Sequence, residues 1–305
     1  MREAVASNGI SVGRYLGIDI GGTSTKYAMI SAQGEVSEIA SFPTGKGCLQ
    51  TVFLKRLFTV IDAAVSSEKV CGIGIACLGV IDSVTGNIIG GVNNLPIIND
   101  LNFKSLLQER YPDLPVHICN DVKAAALGEL WLGAGRACDN FFCMAFGTGI
   151  GGAAVLNGKV LMGQHCRAGE ICYIDYNGQD DYYERYTSTK YVMEQAAKRL
   201  GISTITGIEF FTRVRANDVV CQEVLREWSN KIARLIANLI VVLDVEKIIL
   251  GGGISPQLDL MIPLIESNLG KMLPQGWREQ TAIVAAECGN SAGMLGAVSV
   301  LVCGR

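Results

Sequence analysis

Residues 15–30 read YLGIDIGGTSTKYAMI, and the residues just after the glycine pair decide the fold. A dinucleotide-binding loop must open a helix after its strand. Here β-branched and aromatic residues resume straight after the turn, so the stretch reads as strand 15–21, turn, strand 23–30. No G-x-x-x-x-G-K-[ST] occurs in the chain, which removes the other common phosphate loop. A plain hairpin turn and a phosphate cradle remain. Both want glycine, the first for its backbone freedom and the second because a Cβ would hold an anion away from the backbone N–H groups.

Working outward, SAQGEV (31–36) is a polar turn before a third strand, and Val52, Leu54, Leu57, Phe58 and Ile61 show helical spacing over 50–66. VCGIGIACLGVID (70–82) reads as a buried strand running into a loop, and FKSLLQERY (103–111) as a helix. PVHICND (115–121) is a short strand ending on Asn120 and Asp121, followed by an Ala-rich helix, VKAAALGELWLGA (122–134). NFFCMAFGTGIGGAAVLNGKVL (140–161) then repeats strand, glycine turn, strand, turn, about 125 positions after the first. A long amphipathic helix (222–244) leads into the strand KIILGGGIS (247–255); a last strand, TAIVAAE (281–287), precedes a helix in CGNSAGMLGAVSVLV (288–302). Two hairpin-started sheets with flanking helices imply an internal structural duplication. The expected class is α/β, two lobes with a nucleotide cleft between them.

The chain has 305 residues, 49% hydrophobic and 18% charged, enough for two domains with a large buried core. A net charge of −3 without a basic block argues against a nucleic-acid surface. The eleven cysteines contain no C-x-x-C pair and mostly occupy apolar runs, so they read as buried thiols of a reducing compartment. Residues 1–14 lack the apolar core of a signal peptide and read as a flexible extension. LIANLIVVL (235–243) falls far short of the ~20 residues that span a bilayer. A cytoplasmic location without a membrane partner is expected.

Gly21, Gly22 and Thr23 can form one wall of a phosphate site, with Lys26 adding charge; Gly147, Thr148, Gly149, Gly151 and Gly152 can form another. A third glycine run, Gly251, Gly252 and Gly253, ends a strand and opens onto a helix, which suits the close approach of an adenosine. A hairpin turn explains any one of these loops as well.

DIGGTSTK, GIACLGVID, NLPIINDLNFKSLL, NDVKAAALGE, FGTGIGG, RAGE and IILGGGIS occur in an order that resembles the ROK family (repressor, open reading frame, kinase) over residues 15–302. That resemblance implies an actin/hexokinase-like, ribonuclease H-like fold, with a small lobe of 15–121 plus 292–305 and a large lobe of 122–291. It implies an ATP- and Mg²⁺-dependent sugar 6-kinase, a homodimer. Asp19, Gly21, Gly22, Thr23 and Lys26, with Gly147, Thr148 and Gly149, would serve the ATP phosphates and Mg²⁺. Gly251 to Gly253, Ala292 and Gly293 would lie along the adenosine. Asp121 would be the base, and Gly79, Asn94, Asn120, Glu170, Tyr173 and Glu184 would line the sugar.

A carboxylate is the right group to accept the proton of a sugar hydroxyl as the O–P bond forms. At a strand-to-helix junction Asp121 can equally serve as an N-cap, and Glu170 and Glu184 can equally be surface glutamates. The motif order favours the catalytic reading. One departure from the family pattern is informative: Cys172-Tyr173 stands where many members have Gly-His, and no cysteine cluster follows. No structural zinc is expected, because Cys166 and Cys172 cannot supply four tetrahedral ligands; packing of Tyr173, Tyr176, Tyr182, Tyr183 and Tyr186 must hold the loop. The chain then looks most like zinc-free β-glucoside kinases and N-acetylmannosamine kinases, with glucose a possible third substrate. A family repressor would need a helix-turn-helix ahead of the first strand, and residues 1–14 are too few for one. A dead sugar sensor sits poorly with the retained Asp121 and phosphate loops.

Overall fold

The computed structural model describes residues 13–304 except 46, 48, 93, 94, 179 and 180. The expected flexible extension therefore lies almost wholly outside the described residues. The chain forms two compact units, one of the described residues through Gly128 and from Ser291 onward, the other Glu129–Asn290.

The first unit opens with β1 (Arg14–Ile20) and β2 (Ser24–Ile30), antiparallel with Asp19 opposite Lys26, followed by β3 (Ala40–Pro43). Helix α1 (Gln50–Ser67) buries Phe53, Leu57 and Ile61, a stripe at i, i+4, i+8. Then come β4 (Val70–Cys77), a small hairpin of β5 (Val80–Asp82) and β6 (Asn87–Gly90), α2 (Phe103–Arg110), β7 (Val116–Asn120) and α3 (Asp121–Leu132), whose residues from Glu129 on belong to the second unit. The sheet order is β3-β2-β1-β4-β7, with β1, β4 and β7 parallel. Leu16, Ile18, Ile20, Ile73, Ile75 and Ile118 fill its core with the helix side chains Phe53 and Phe103. The expected loop at 78–82 instead carries β5, paired with β6. The third strand starts at Ala40, later than the end of the polar turn suggests. The Ser31 hydroxyl accepts from the N–H groups of Gln33 and Glu35, which keeps the chain turning.

The second unit repeats the plan. It comprises β8 (Phe141–Phe146), β9 (Ile150–Leu156), β10 (Lys159–Val160), α4 (Tyr183–Thr187), α5 (Thr189–Leu200), α6 (Gly207–Arg215), α7 (Val219–Leu243), β11 (Lys247–Gly252), α8 (Leu258–Met272) and β12 (Ala282–Ala285). Its sheet order is β10-β9-β8-β11-β12, with β8 antiparallel to β9 and parallel to β11. Strand for strand, this is the order and sense of the first sheet, so the duplication read from the two glycine hairpins is present in the topology. Helix α7 is capped by the Asp218 carboxylate, which accepts from Cys221 N–H at 3.1 Å. It packs Trp228 edge-on against Phe146 with ring centroids 6.3 Å apart.

The chain then returns to the first unit as α9 (Ala292–Cys303). It packs against β1 and β4 so closely that only glycine fits beneath it. A Cβ on Gly17 would come within 2.9 Å of Met294 Cβ, and one on Gly74 within 2.7 Å of the Ala297 backbone. Helix α3 crosses α9 just as tightly, since a Cβ on Gly296 would fall 1.6 Å from the Ala124 carbonyl oxygen. Among the described residues no helix is long and apolar enough to cross a membrane.

Candidate functional site

In the first unit, β7 delivers Asn120 and Asp121 to the start of α3. Asn120, not Asp121, does most of the capping: its side-chain oxygen accepts from the N–H groups of Val122 and Lys123, both at 3.0 Å. Its amide nitrogen donates to the Gly79 carbonyl at 2.9 Å and to Asp121 Oδ1 at 3.0 Å. Asp121 Oδ1 also accepts from Val122 N–H at 2.9 Å. Gly79 has φ +103°, and a Cβ there would strike Val92 at 2.5 Å, so this turn requires glycine. Asn120 thus ties a glycine turn, a helix start and a half-buried carboxylate into one assembly.

The turn between β1 and β2 is the second feature of that unit. Asp19 ends on the β1 side of it, opposite Lys26. Burial pushes the Asp19 carboxyl above the ordinary range, and the Lys26 charge pulls it back. Gly293, near the start of α9, lies against it: a Cβ there would be 3.7 Å from Asp19 Cγ and 3.2 Å from Ala76 Cβ. Gly293 is therefore a neighbour of Asp19 within the unit that also holds Ala292, whereas Gly251 to Gly253 belong to the other.

In the second unit the two glycine loops adjoin at the ends of neighbouring parallel strands, β8 and β11. The Phe146 carbonyl accepts from Gly253 N–H at 2.7 Å, and Gly252, at φ +86°, would put a Cβ 2.4 Å from that same oxygen. The Thr189 hydroxyl donates to the Gly147 carbonyl at 2.6 Å and fixes the loop from α5. Beside these loops is a cavity of about 690 Å³ whose lining includes Gly147, Thr148, Gly253 and Ile254, with Ile208 and Phe211 as apolar walls. That is a volume suited to one small organic ligand.

Glu170, Tyr173 and Glu184 come together in the same unit. A Cβ on Gly149 would fall 2.2 Å from Glu184 Oε1, so the second glycine loop touches this cluster. Burial raises the Glu184 carboxyl, and burial with the charges of Glu170 and Glu184 pushes the intervening Cys172 thiol up to about 12. The thiol is therefore neutral, and it donates to Glu170 Oε2 at 3.8 Å. Tyr173 is 57% exposed and meets Tyr182 edge-on at 5.9 Å. Tyr176 packs on Tyr183 and Tyr186 with centroids at 5.0 and 4.5 Å, and the Tyr186 hydroxyl donates to Asp181. Tyr191, which the sequence reading did not single out, continues the stack against Tyr186 at 5.4 Å. No group of three or more potential metal ligands occurs among the described residues.

Asn94, expected to line the sugar, lies outside the described residues. The other expected residues fall into two groups, one in each unit: Asp19, Gly21, Gly22, Thr23, Lys26, Gly79, Asn120, Asp121, Ala292 and Gly293, and Gly147, Thr148, Gly149, Glu170, Tyr173, Glu184 and Gly251 to Gly253. Sequence reasoning missed Thr189, Thr206, Ile208 and Phe211 of the cavity wall. Their one signal was the glycine-flanked N-cap Thr206, which accepts from Glu209 N–H.

A model of the ROK family matches residues 15–302. A β-glucoside kinase of Listeria monocytogenes is 32% identical over 290 residues, 92% of this chain and 94% of its own. A glucokinase of Halalkalibacterium halodurans is 29% identical over 309 residues, 92% of this chain and 93% of its own. A solved structure from Listeria monocytogenes, of a protein proposed to be an N-acetylmannosamine kinase, has a TM-score of 0.82 at 30% identity and covers 93% of this chain and 97% of its own. The shared fold is the actin/hexokinase-like one.

Proposed function

The chain belongs to the ROK family, and from that premise we propose that it is an ATP-dependent kinase acting on the 6-hydroxyl of a hexose or hexoside. The observation that carries this reading is the Asn120–Asp121 arrangement. The Asn120 side-chain oxygen accepts from the N–H groups of Val122 and Lys123, so Asn120 is the principal cap and the adjacent Asp121 carboxylate is assigned the role of base. Asp121 accepts the hydroxyl proton as the new O–P bond forms and the bond between the γ-phosphorus and the β-phosphate oxygen breaks, releasing ADP. The backbone N–H groups of the Gly21–Thr23 and Gly147–Gly149 loops bind phosphate oxygens, and the cavity beside Gly253 takes the adenosine. Glu170 and Glu184 accept hydrogen bonds from sugar hydroxyls.

Magnesium fits one position in the donor set. Asp19 offers a single carboxylate whose burial is offset only in part by Lys26, and magnesium takes one or two carboxylates together with substrate phosphates and water. When bound, the ion neutralises charge on the phosphates. Asp19, Gly22 and Gly293 are the residues that would surround it.

Tyr173 directs the choice of sugar. Its exposed ring offers a face to pack against sugar C–H surfaces, which suits a substrate carrying a second group on its anomeric oxygen, such as a β-glucoside. N-acetylmannosamine and free glucose are the alternatives within the same activity. Comparing kcat/KM for cellobiose, N-acetylmannosamine and glucose with ATP and Mg²⁺ tests the whole proposal. A tenfold preference for glucose, about 1.4 kcal/mol of transition-state binding, would overturn the reading of Tyr173. Absence of turnover with every sugar would overturn the kinase and turn attention to a sugar-responsive regulator. A homodimer in the cytoplasm completes this reading, and sedimentation measures the oligomer.

A further inference from the structure

Thr44 stands just after β3, far in sequence from the glycine turn at Gly21–Thr23, yet it holds that turn from within the core. Its side chain is fully buried. Its hydroxyl donates to the Gly21 carbonyl at 2.8 Å, and its backbone N–H donates to the Thr23 carbonyl at 3.0 Å. The Thr25 hydroxyl, also fully buried, lies 3.0 Å from the Thr44 hydroxyl. A hydroxyl has one hydrogen. Because Thr44 spends its own on Gly21, Thr25 is the donor of the pair, and the bonds run Thr25 to Thr44 to Gly21.

The geometry of the peptide unit carries this to the mouth of the turn. In a trans peptide the carbonyl and the next N–H point in opposite directions. Pinning the Gly21 carbonyl toward Thr44 therefore turns the Gly22 N–H the other way. Gly22 itself is only partly buried, and a Cβ built on it would meet nothing within 4 Å. The buried threonines thus set the direction of a backbone donor on a partly buried turn.

We propose that Thr44 is a positioning residue for nucleotide phosphate, with Thr25 as its relay, and that together they keep the Gly22 N–H aimed at the anion. The proposal rests on the reading of this turn as a phosphate site. An isolated backbone donor on a glycine turn is free to swing; one whose own peptide carbonyl is held from behind is preorganised, and the held donor binds more tightly because less motion is lost. A merely structural role, joining β3 to the hairpin, would lower stability without distinguishing nucleotide from sugar.

The test compares Thr44→Val, which keeps shape and removes the hydroxyl, with Thr44→Ser, which keeps the hydroxyl. Calorimetry measures Mg-ATP and sugar binding to each, beside the unaltered protein. Thr44→Val is expected to weaken ATP about tenfold, equivalent to about 1.4 kcal/mol, with sugar affinity unchanged and ATP affinity restored in Thr44→Ser. Equal ATP affinity in all three proteins overturns the positioning role and leaves the phosphate site standing. So does a parallel loss of ATP and sugar binding. An unaltered protein that binds sugar but no ATP overturns the phosphate site, and this proposal falls with it. If Thr44→Val does not fold, Thr25→Val, which leaves the Gly21 bond in place, is expected to weaken ATP by a smaller factor, and no change there overturns the relay.

Discussion

Asn120 and Asp121 divide one junction between them: the Asn120 side-chain oxygen takes two helix N–H groups while its nitrogen donates to Asp121 at 3.0 Å. The principal cap and the proposed base are separate side chains. Asp121→Asn is therefore expected to fold and to bind sugar, because the principal cap is untouched. Its turnover should fall by ~10²-fold or more, the scale for removing a general base. A near-normal kcat would return Asp121 to a structural role.

Gly149 and Glu184 are in contact across the second glycine loop. In Gly149→Ala the new methyl would meet Glu184 Oε1 at 2.2 Å. The obstacle is the tip of a flexible side chain, so the carboxylate moves and the fold survives. We expect a several-fold rise in KM for the sugar with little change in melting temperature. Unchanged KM would separate Glu184 from the substrate.

His117 makes stability depend on pH. Burial, with the charge of Lys104 beside it, lowers its pKa from 6.5 to about 4, and its Nε2 is buried without a partner. Between those values the unfolded chain binds the proton and the folded chain does not, so stability drops as pH falls from 6.5 toward 4. The contribution has a ceiling of about 3–4 kcal/mol at 1.36 kcal/mol per pH unit. His117→Gln should flatten this part of the stability curve. Denaturant melts of both proteins from pH 7 to 4.5 check it, and parallel curves would refute the assignment.

Two glycines in helices should respond oppositely to the same change. Gly296→Ala drives a methyl to 1.6 Å from the Ala124 carbonyl oxygen, backbone against side chain with no room to yield. A loss of about 3 kcal/mol or more is expected, the upper end for overpacking. Gly270, in α8, has nothing within 4 Å of its Cβ position, so Gly270→Ala should stabilise by up to about 1 kcal/mol through helix propensity. Thermal melts of the two variants settle both signs.

The glycine hairpins and the strand-to-helix junction at 120–121 were legible because each is a local pattern: alternation, a breaker, alternation again. The cap was less so. Aspartate is a favoured cap, and a strand read as ending on Asn120 and Asp121 does not say which of the two takes the helix N–H groups. Thr44 was invisible because its partners are set by the β2–β3 register, which places Ser24 opposite Pro43. The cavity wall was missed for the same kind of reason. Thr189, Ile208 and Phe211 come from α5 and α6, and no spacing along the chain marks residues that only packing brings together. The helix-opening pair Ala292–Gly293 was legible as a turn into a helix, but the nearness of Gly293 to Asp19 depends on α9 crossing back to β1.

That return of α9 bears on the order of events as the chain leaves the ribosome. The first sheet is translated early, but the helix that seats on Gly17 and Gly74 is made only after the whole second unit. The stretch Glu129–Asn290 is continuous and holds its own core, so it can mature while the earlier segment waits with one face uncovered. A nascent chain stalled after Asn290 is expected to protect 129–290 from protease and to leave the first hundred or so residues open to cutting. Protection of both segments at that length would show that the early sheet closes without its helix. In the cell, the waiting face is where a chaperone would be needed, and for how long depends on the time taken to translate the whole intervening unit.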